Sequence, residues 1–272
     1  MSFELPYPHR GDNPQAPGCE TAVLIGTVKA LRRRPLKSAP PITVDTFHFE
    51  RGLGIVGDSH ANPISPRHVL LVSENAYAEF SLPPGSLREN ILIGVSAGHL
   101  ESGAILRFGA SAAVAVSFEC EPCAKLNRVS PGLMRAIGGA RGWLARVVES
   151  GPVSCGDSIS RLTSTAPRHS RIWQERLWAA VEQLPAGTVA TYASLTEIVG
   201  VPKAYARAFP RVLRAKPGVP WHRAVPISGA LLGPEHRERL KSEGIEPAHF
   251  LHFPRSRPLM ADDQGAQQLS SV

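Results

Sequence analysis

Between residues 162 and 171 the hydrophobic periodicity of this chain changes, and no single fold accommodates both patterns. Upstream lie short apolar runs broken by turn residues: "TAVLIGTVKA", "PITVDTFHF", "RHVLLVS", "GAILRFG", "SAAVAVSF", "LARVVESG" and "DSISRL". Runs of this length and spacing predict a mostly-β barrel or sandwich. Downstream, "RIWQERLWAAVEQL" sets Trp173, Leu177, Val181 and Leu184 at helical spacing, and "PAG" stops it. A length of 272 residues is enough for two domains. The expected organisation is a loose, Pro/Gly-rich lead-in (1–20), a β domain (21–162), a linker (163–170), an α-rich domain (171–250) and a disordered tail (251–272).

In the second domain "TYASLTEIVG" predicts a short helix ended by glycine, and "VPKAYARAFPRVLRAKPG" a second, running over 203–216. Two short helices around a glycine turn make a helix-turn-helix candidate. Along 203–216 the cations Lys203, Arg207, Arg211 and Arg214 would fall within an arc of roughly 80°. Ala206, Phe209 and Leu213 would form a separate apolar stripe, and Pro210 should kink or shorten the helix. Of the formal net charge of +7, most sits here: residues 168–257 hold 14 Lys/Arg against 7 Asp/Glu. A local basic surplus favours a polyanion, through phosphate contacts and counterion release.

The order "LPAGTVATYASLTEIVG", "AYARAF", "LRAKPGVPWHRAV", "LKSEGI" resembles the DNA-binding domain of the O6-alkylguanine-DNA alkyltransferases over about residues 171–250. In that family a cysteine in a Pro-Cys-His-Arg loop takes the alkyl group from a guanine flipped out of the duplex. Here Trp221 stands in that place. An indole offers an N–H donor and no usable nucleophile, so alkyl transfer by this residue is excluded. The domain is similar to the alkyltransferase-like proteins, which carry tryptophan there, bind O6-alkylguanine in double-stranded DNA and flag it for nucleotide excision repair. The resemblance implies roles for particular residues. Arg207 would enter the base stack and Tyr192 would support backbone rotation, with Arg211 and Arg214 on the basic face. Pro220, Trp221, His222 and Arg223 would form the base pocket, Ser228 and Gly229 the loop that closes over it. Glu243 would pair with His222. Pro210 and Lys216 depart from the family's glycine and asparagine.

Residues 21–162 resemble the MOSC family, named for the C-terminal domain of molybdenum-cofactor sulfurases. The matching pieces are "GLGIVGDSHA" (52–61), "RHVLLVS" (67–73), "RENILIGV" (88–95), Leu100 with Gly103, "ECEPCAKLN" (119–127), "GARGWLARVVESG" (139–151) and "GD" (156–157). The resemblance implies a β-barrel in which Cys123 carries sulfur or ligates molybdenum, jobs suited to a soft thiolate. It gives Asp58 and Asn90 to the pocket rim, and Arg67 and Lys125 to an anionic cofactor phosphate. Relatives often carry His-Gly-Gly where this chain reads "NPISPRH". Cys120 and Cys123 form one C-x-x-C pair. A zinc site needs two further ligands, which Cys19 and Cys155 do not supply at zinc-like spacing.

Four cysteines are too few for a disulfide scaffold at this size. The N-terminus lacks a signal-peptide pattern, and no apolar run reaches about 18 residues. These features predict a soluble, cytoplasmic protein without a membrane partner. Two functional classes follow: a lesion-binding protein that performs no alkyl transfer, and a molybdenum-cofactor enzyme, for example one reducing N-hydroxylated nucleobases, with the second domain directing it to DNA.

Overall fold

The computed structural model describes residues 21–245, apart from Ser38, Ser96 and the side chain of Ala97. The lead-in 1–20 and the tail 251–272 lie outside the described residues. Thirteen strands are seen among those described: β1 (Ala22–Arg33), β2 (Ile42–Val44), β3 (Thr46–Glu50), β4 (Gly54–Ile55), β5 (Val69–Ser73), β6 (Ile91–Ile93), β7 (Ala104–Phe108), β8 (Ala112–Glu119), β9 (Trp143–Glu149), β10 (Gly151–Ser154), β11 (Ser158–Thr165), β12 (Ala190–Thr191) and β13 (Ala224–Val225). The helices are α1 (Glu74–Glu79), α2 (Leu133–Ala136), α3 (Trp173–Glu182), α4 (Tyr192–Val199), α5 (Phe209–Arg214) and α6 (Pro234–Ser242).

Seven strands close a barrel in the order β1-β11-β7-β8-β9-β5-β6 and back to β1. The long β1 makes the closure. Its first half pairs with β11 and its second with β6 and β2, with register shifts at Leu24/Gly26 and Val28/Ala30. Gly26 permits the crossing, because a Cβ there would sit 2.3 Å from the Gly94 carbonyl oxygen. Only β5 and β6 run parallel within the barrel. Alternating side chains fill it: Leu31, Leu71, Ile91, Leu106, Phe108 and Ile159 are fully buried. A second apolar cluster outside it includes Leu87, Phe118, Cys120, Leu126 and Ile137. The strand β11 runs to Thr165, and Ala166 N–H donates to the Gly103 carbonyl, so the chain leaves the barrel along its surface.

The second domain is small and helical. Leu177 and Val181 of α3 pack with Leu195 of α4 and with Phe209 and Leu213 of α5. Thr191 caps α4 by accepting from Ser194 N–H, and Gly200 ends it in the left-handed region at φ 72°. The expected helix over 203–216 is not continuous. Lys203–Ala208 is a 3₁₀ segment, and α5 starts at Phe209. Pro210 is the reason: it has no N–H to donate to Ala206, so an α-helix cannot pass through it but can begin there. The common arc of cations therefore does not hold across the break, and Lys203 and Arg207 belong to a different element from Arg211 and Arg214.

Candidate nucleic-acid interface and barrel pocket

The parallel pair β12/β13 aligns Ala190 with Ala224 and Thr191 with Val225. Tyr192 follows the first strand directly and Arg223 precedes the second, so two distant motifs meet at one edge. Half-buried Tyr192 meets the Phe209 ring edge-on at 6.2 Å. Burial raises its phenol pKa, while Arg214 pulls the other way.

Pro220 opens a 3₁₀ turn over Trp221–Arg223. The Trp221 indole is half-buried among cations: the Arg214 guanidinium lies 4.5 Å from its ring centroid, and that of Arg239 5.6 Å. The His236 ring is 5.1 Å away. His236 is fully buried, donates from Nε2 to the His222 carbonyl at 2.9 Å and accepts from Leu232 N–H at Nδ1. Burial lowers its pKa, which keeps the ring neutral.

Behind the turn, Glu243 is clamped. Its Oε1 lies 2.7 Å from His222 Nε2 and 2.8 Å from Arg223 Nη2, and its Oε2 accepts from Gly187 N–H at 3.1 Å. Arg223 also donates to the Leu184 carbonyl. The Arg223 hydrogen bonds, with that of His222, outweigh desolvation and hold Glu243 down to about 2. A carboxylate so fully used is a brace for the loop. Ser228 and Gly229 lie in the turn after β13, with Gly229 N–H bonded to the Pro226 carbonyl. Lys203, Arg207 and Arg211 are exposed, and none has a side-chain partner among the described residues. Lys216 pairs with Glu182 at 2.9 Å.

In the barrel, Asp58 and Asn90 are buried and joined by a 3.2 Å hydrogen bond. Asn90 also accepts from Leu70 N–H. Asp58 accepts from Arg34 N–H and from His60. Burial works against its charge, but the His60 and Arg34 bonds prevail and lower its pKa. Cys123 and Lys125 are exposed, at the start of the 3₁₀ segment after β8, and Cys120 is buried. Among the described residues, no three His, Cys, Asp or Glu side chains could jointly hold a metal ion. His68, on the barrel side of this region, is buried. It accepts from Val147 N–H and faces the Asn62 carbonyl, and burial drives its pKa to about 3.

Sequence reasoning missed three arginines. Arg34 donates to the Arg88 carbonyl at 3.0 Å, and burial, Arg88 and Arg141 together lower its pKa. Arg34 Nε and Arg141 Nε and Nη1 are buried with no acceptor. Each such donor costs on the order of 1–3 kcal/mol, which an anion would relieve. This donor set suits an anionic group. Arg67, assigned that task from sequence, instead donates to the Gly200 carbonyl at 3.0 Å. No local signal could have found the arginine set, since positions 34, 88 and 141 lie far apart in sequence.

Arg67 is one of several contacts between the domains. Asn62 donates to Glu197 at 3.3 Å, and Arg171 pairs with Glu119. The Arg176 guanidinium lies over the Phe118 ring. The stretch "NPISPRH", which departs from the barrel family's pattern, thus supplies interface residues. A cavity of about 330 Å³ opens between the domains, lined by Ile64, Pro66, His169, Arg176, Ala180 and Ile198 among others. It is separate from the Trp221 turn. No helix among the described residues is long and apolar enough to cross a membrane.

Comparison with known proteins agrees with this division. The MOSC domain model matches residues 56–160, and the model of the 6-O-methylguanine DNA methyltransferase DNA-binding domain matches 172–246. A DNA base-flipping protein of Escherichia coli (strain K12) is 37% identical over 79 residues, which cover 26% of this chain and 60% of that protein. The match therefore spans less than two thirds of the relative. Among solved structures, YiiM from Escherichia coli is 23% identical, covering 70% of this chain and 94% of that one at a TM-score of 0.43. S. pombe Atl1 in complex with damaged DNA containing O6-carboxymethylguanine is 29% identical, covering 27% and 77% at a TM-score of 0.24. The chain joins a MOSC domain to a DNA-binding domain of the alkylguanine-transferase type.

Proposed function

We propose that this protein binds O6-alkylguanine in duplex DNA by turning the base out of the stack, leaves the alkyl group in place, and marks the site for nucleotide excision repair proteins. The observation that carries this reading is Trp221, held in the Pro-Trp-His-Arg turn by Arg214, Arg239 and His236. The turn keeps an aromatic wall and a braced His222–Glu243–Arg223 set, and has no nucleophile. Flipping costs a few kcal/mol, least at a damaged pair. Exposed Arg207 is the side chain available to fill the vacated space, and Arg211 is available to phosphates. Tyr192 sits beside the turn, while Pro220, Ser228 and Gly229 shape its two edges.

Flipping is read by a fluorescent base analogue placed next to a single O6-methylguanine. Its emission rises on unstacking when protein is added, and Arg207→Ala abolishes the rise. The lesion is recovered chemically intact. Unchanged emission, or recovery of unmodified guanine, contradicts the proposal.

For the barrel, the buried donors of Arg34 and Arg141 favour an anionic ligand, and the molybdenum cofactor is the proposed one. Arg34, Arg88 and Arg141 would hold its phosphate, and Cys123, being exposed, would meet the metal; Lys125 stands nearby in sequence. When bound, the cofactor would supply two-electron redox chemistry. Metal analysis of protein purified with and without Cys123→Ala tests this: molybdenum near one per chain, lost in the variant, is expected.

A further inference from the structure

Two guanidinium groups, those of Arg214 and Arg239, flank the Trp221 ring. Arg214, in the last turn of α5, lies over the indole and has no carboxylate partner among the described residues. Arg239 of α6 approaches the same ring, and its side chain is half exposed. Two acids near this turn, Glu235 and Glu243, are committed. Glu235 binds Arg239 Nε at 3.0 Å from its own helix and is itself largely exposed. Glu243 is taken up by Arg223, His222 and Gly187 N–H on the far side of His222. His236, the third neighbour, is neutral and has both ring nitrogens bonded.

The indole wall therefore faces a surplus of positive charge carried on planar, fork-shaped donors. An O6-methyl group offers such donors nothing, since it carries neither charge nor acceptor. A carboxylate two bonds beyond O6 offers a charge-assisted, bidentate partner, and guanidinium is the side chain best matched to it. Taking Trp221 as the wall of the base pocket, as proposed above, we infer that Arg214 and Arg239 select O6 adducts ending in a carboxylate over neutral adducts of the same size.

The test compares three duplexes of one sequence at one near-physiological salt, carrying O6-carboxymethylguanine, its neutral carboxamide analogue, or guanine. The carboxylate and carboxamide match in size, and every duplex has the same phosphates, so the ratio of their affinities isolates the adduct's charge. The full-length protein should bind the carboxylate adduct about tenfold tighter than the carboxamide, a difference of about 1.4 kcal/mol. In Arg239→Gln the ratio should fall to roughly threefold or less, and Arg239→Lys, which keeps the charge without the fork, should lie between. A structural role for Arg239 would weaken all duplexes together and leave the ratio unchanged. Equal affinity for carboxylate and carboxamide, with both above guanine, overturns the inference and leaves the lesion-binding proposal standing. Equal affinity for all three overturns both.

Discussion

The guanidinium of Arg176 lies 3.8 Å from the centroid of the Phe118 ring, and this contact joins the barrel to the DNA-binding domain. Arg176 also donates to the carbonyls of Val199, Ser170 and Arg171, so it ties α3, the end of α4 and the interdomain segment to one point on the barrel. Burial lowers its pKa to about 10, still well above neutrality, so the cation persists. The barrel thereby braces the turn that leads into the segment bearing Arg207.

Phe118→Ala removes the ring from beneath a buried cation. Loss of a buried aromatic costs about 3–5 kcal/mol, and a desolvated cation–π contact adds to the coupling between the parts. Denaturant unfolding should separate into two transitions as the domains uncouple. A single transition at the wild-type midpoint would refute the brace.

Gly200 tests the same interface from the other side. Its φ of 72° disfavours a side chain, and a Cβ would stand 2.6 Å from Phe118 Cζ. Gly200→Ala should destabilise by about 1–2 kcal/mol for the backbone alone, and more for the clash. In the Phe118→Ala background the clash with the ring disappears, leaving the backbone cost and the tight approach to Arg67 Cδ at 3.1 Å. Additive effects in this double-mutant cycle would show that the two residues do not meet.

Two groups make stability fall toward acid pH, Glu243 and His68. Glu243 has a folded pKa of about 2 against an ordinary value of 4.5. Its stabilisation is complete above the higher value and is lost as pH falls toward the lower. His68, at about 3 against 6.5, is a base that the fold keeps neutral. The unfolded chain takes up that proton first, so its contribution erodes from pH 6.5 downward. Each group adds a slope of up to about 1.4 kcal/mol per pH unit in its window. Glu243→Gln should flatten the curve below about pH 4.5 and leave the slope nearer pH 6 intact. Unfolding midpoints across pH 2.5–7 measure this.

Salt dependence reports the exposed cations. If Lys203, Arg207 and Arg211 each neutralise one phosphate, log K against log salt should have a slope near −2.7, about −0.9 per contact. Arg211→Gln should reduce it by about 0.9 and weaken damaged and undamaged duplexes alike. An unchanged slope removes Arg211 from the interface.

Much of this architecture was legible in the sequence because hydrophobic period reports which face of an element is buried. The alternation of "GAILRFG" and the helical spacing of Leu177 and Val181 each gave the correct element. Strand β6 escaped, since three residues, "ILI", are too few to show a period. The broken helix over 203–216 was half-legible: Pro210 announced the interruption, but not that the preceding turn would be 3₁₀. The Trp221 turn could be found because its residues are contiguous. The contacts of Trp221 with Arg214 and Arg239 could not, since they depend on how α5 and α6 pack. The Arg67 bond to Gly200 was hidden for a related reason: an arginine beside a barrel strand is chemically suited to an anion or a carbonyl, and this contact depends on how the domains pack.

Lesion binding is decided by titrating the protein into two duplexes of one sequence, one with a single O6-methylguanine and one with guanine, at fixed near-physiological salt. Arg207→Ala and Trp221→Ala are measured alongside. A preference for the damaged duplex of tenfold or more, about 1.4 kcal/mol, is expected, and it should collapse in both variants. Equal affinity of the wild-type protein for the two duplexes would contradict it.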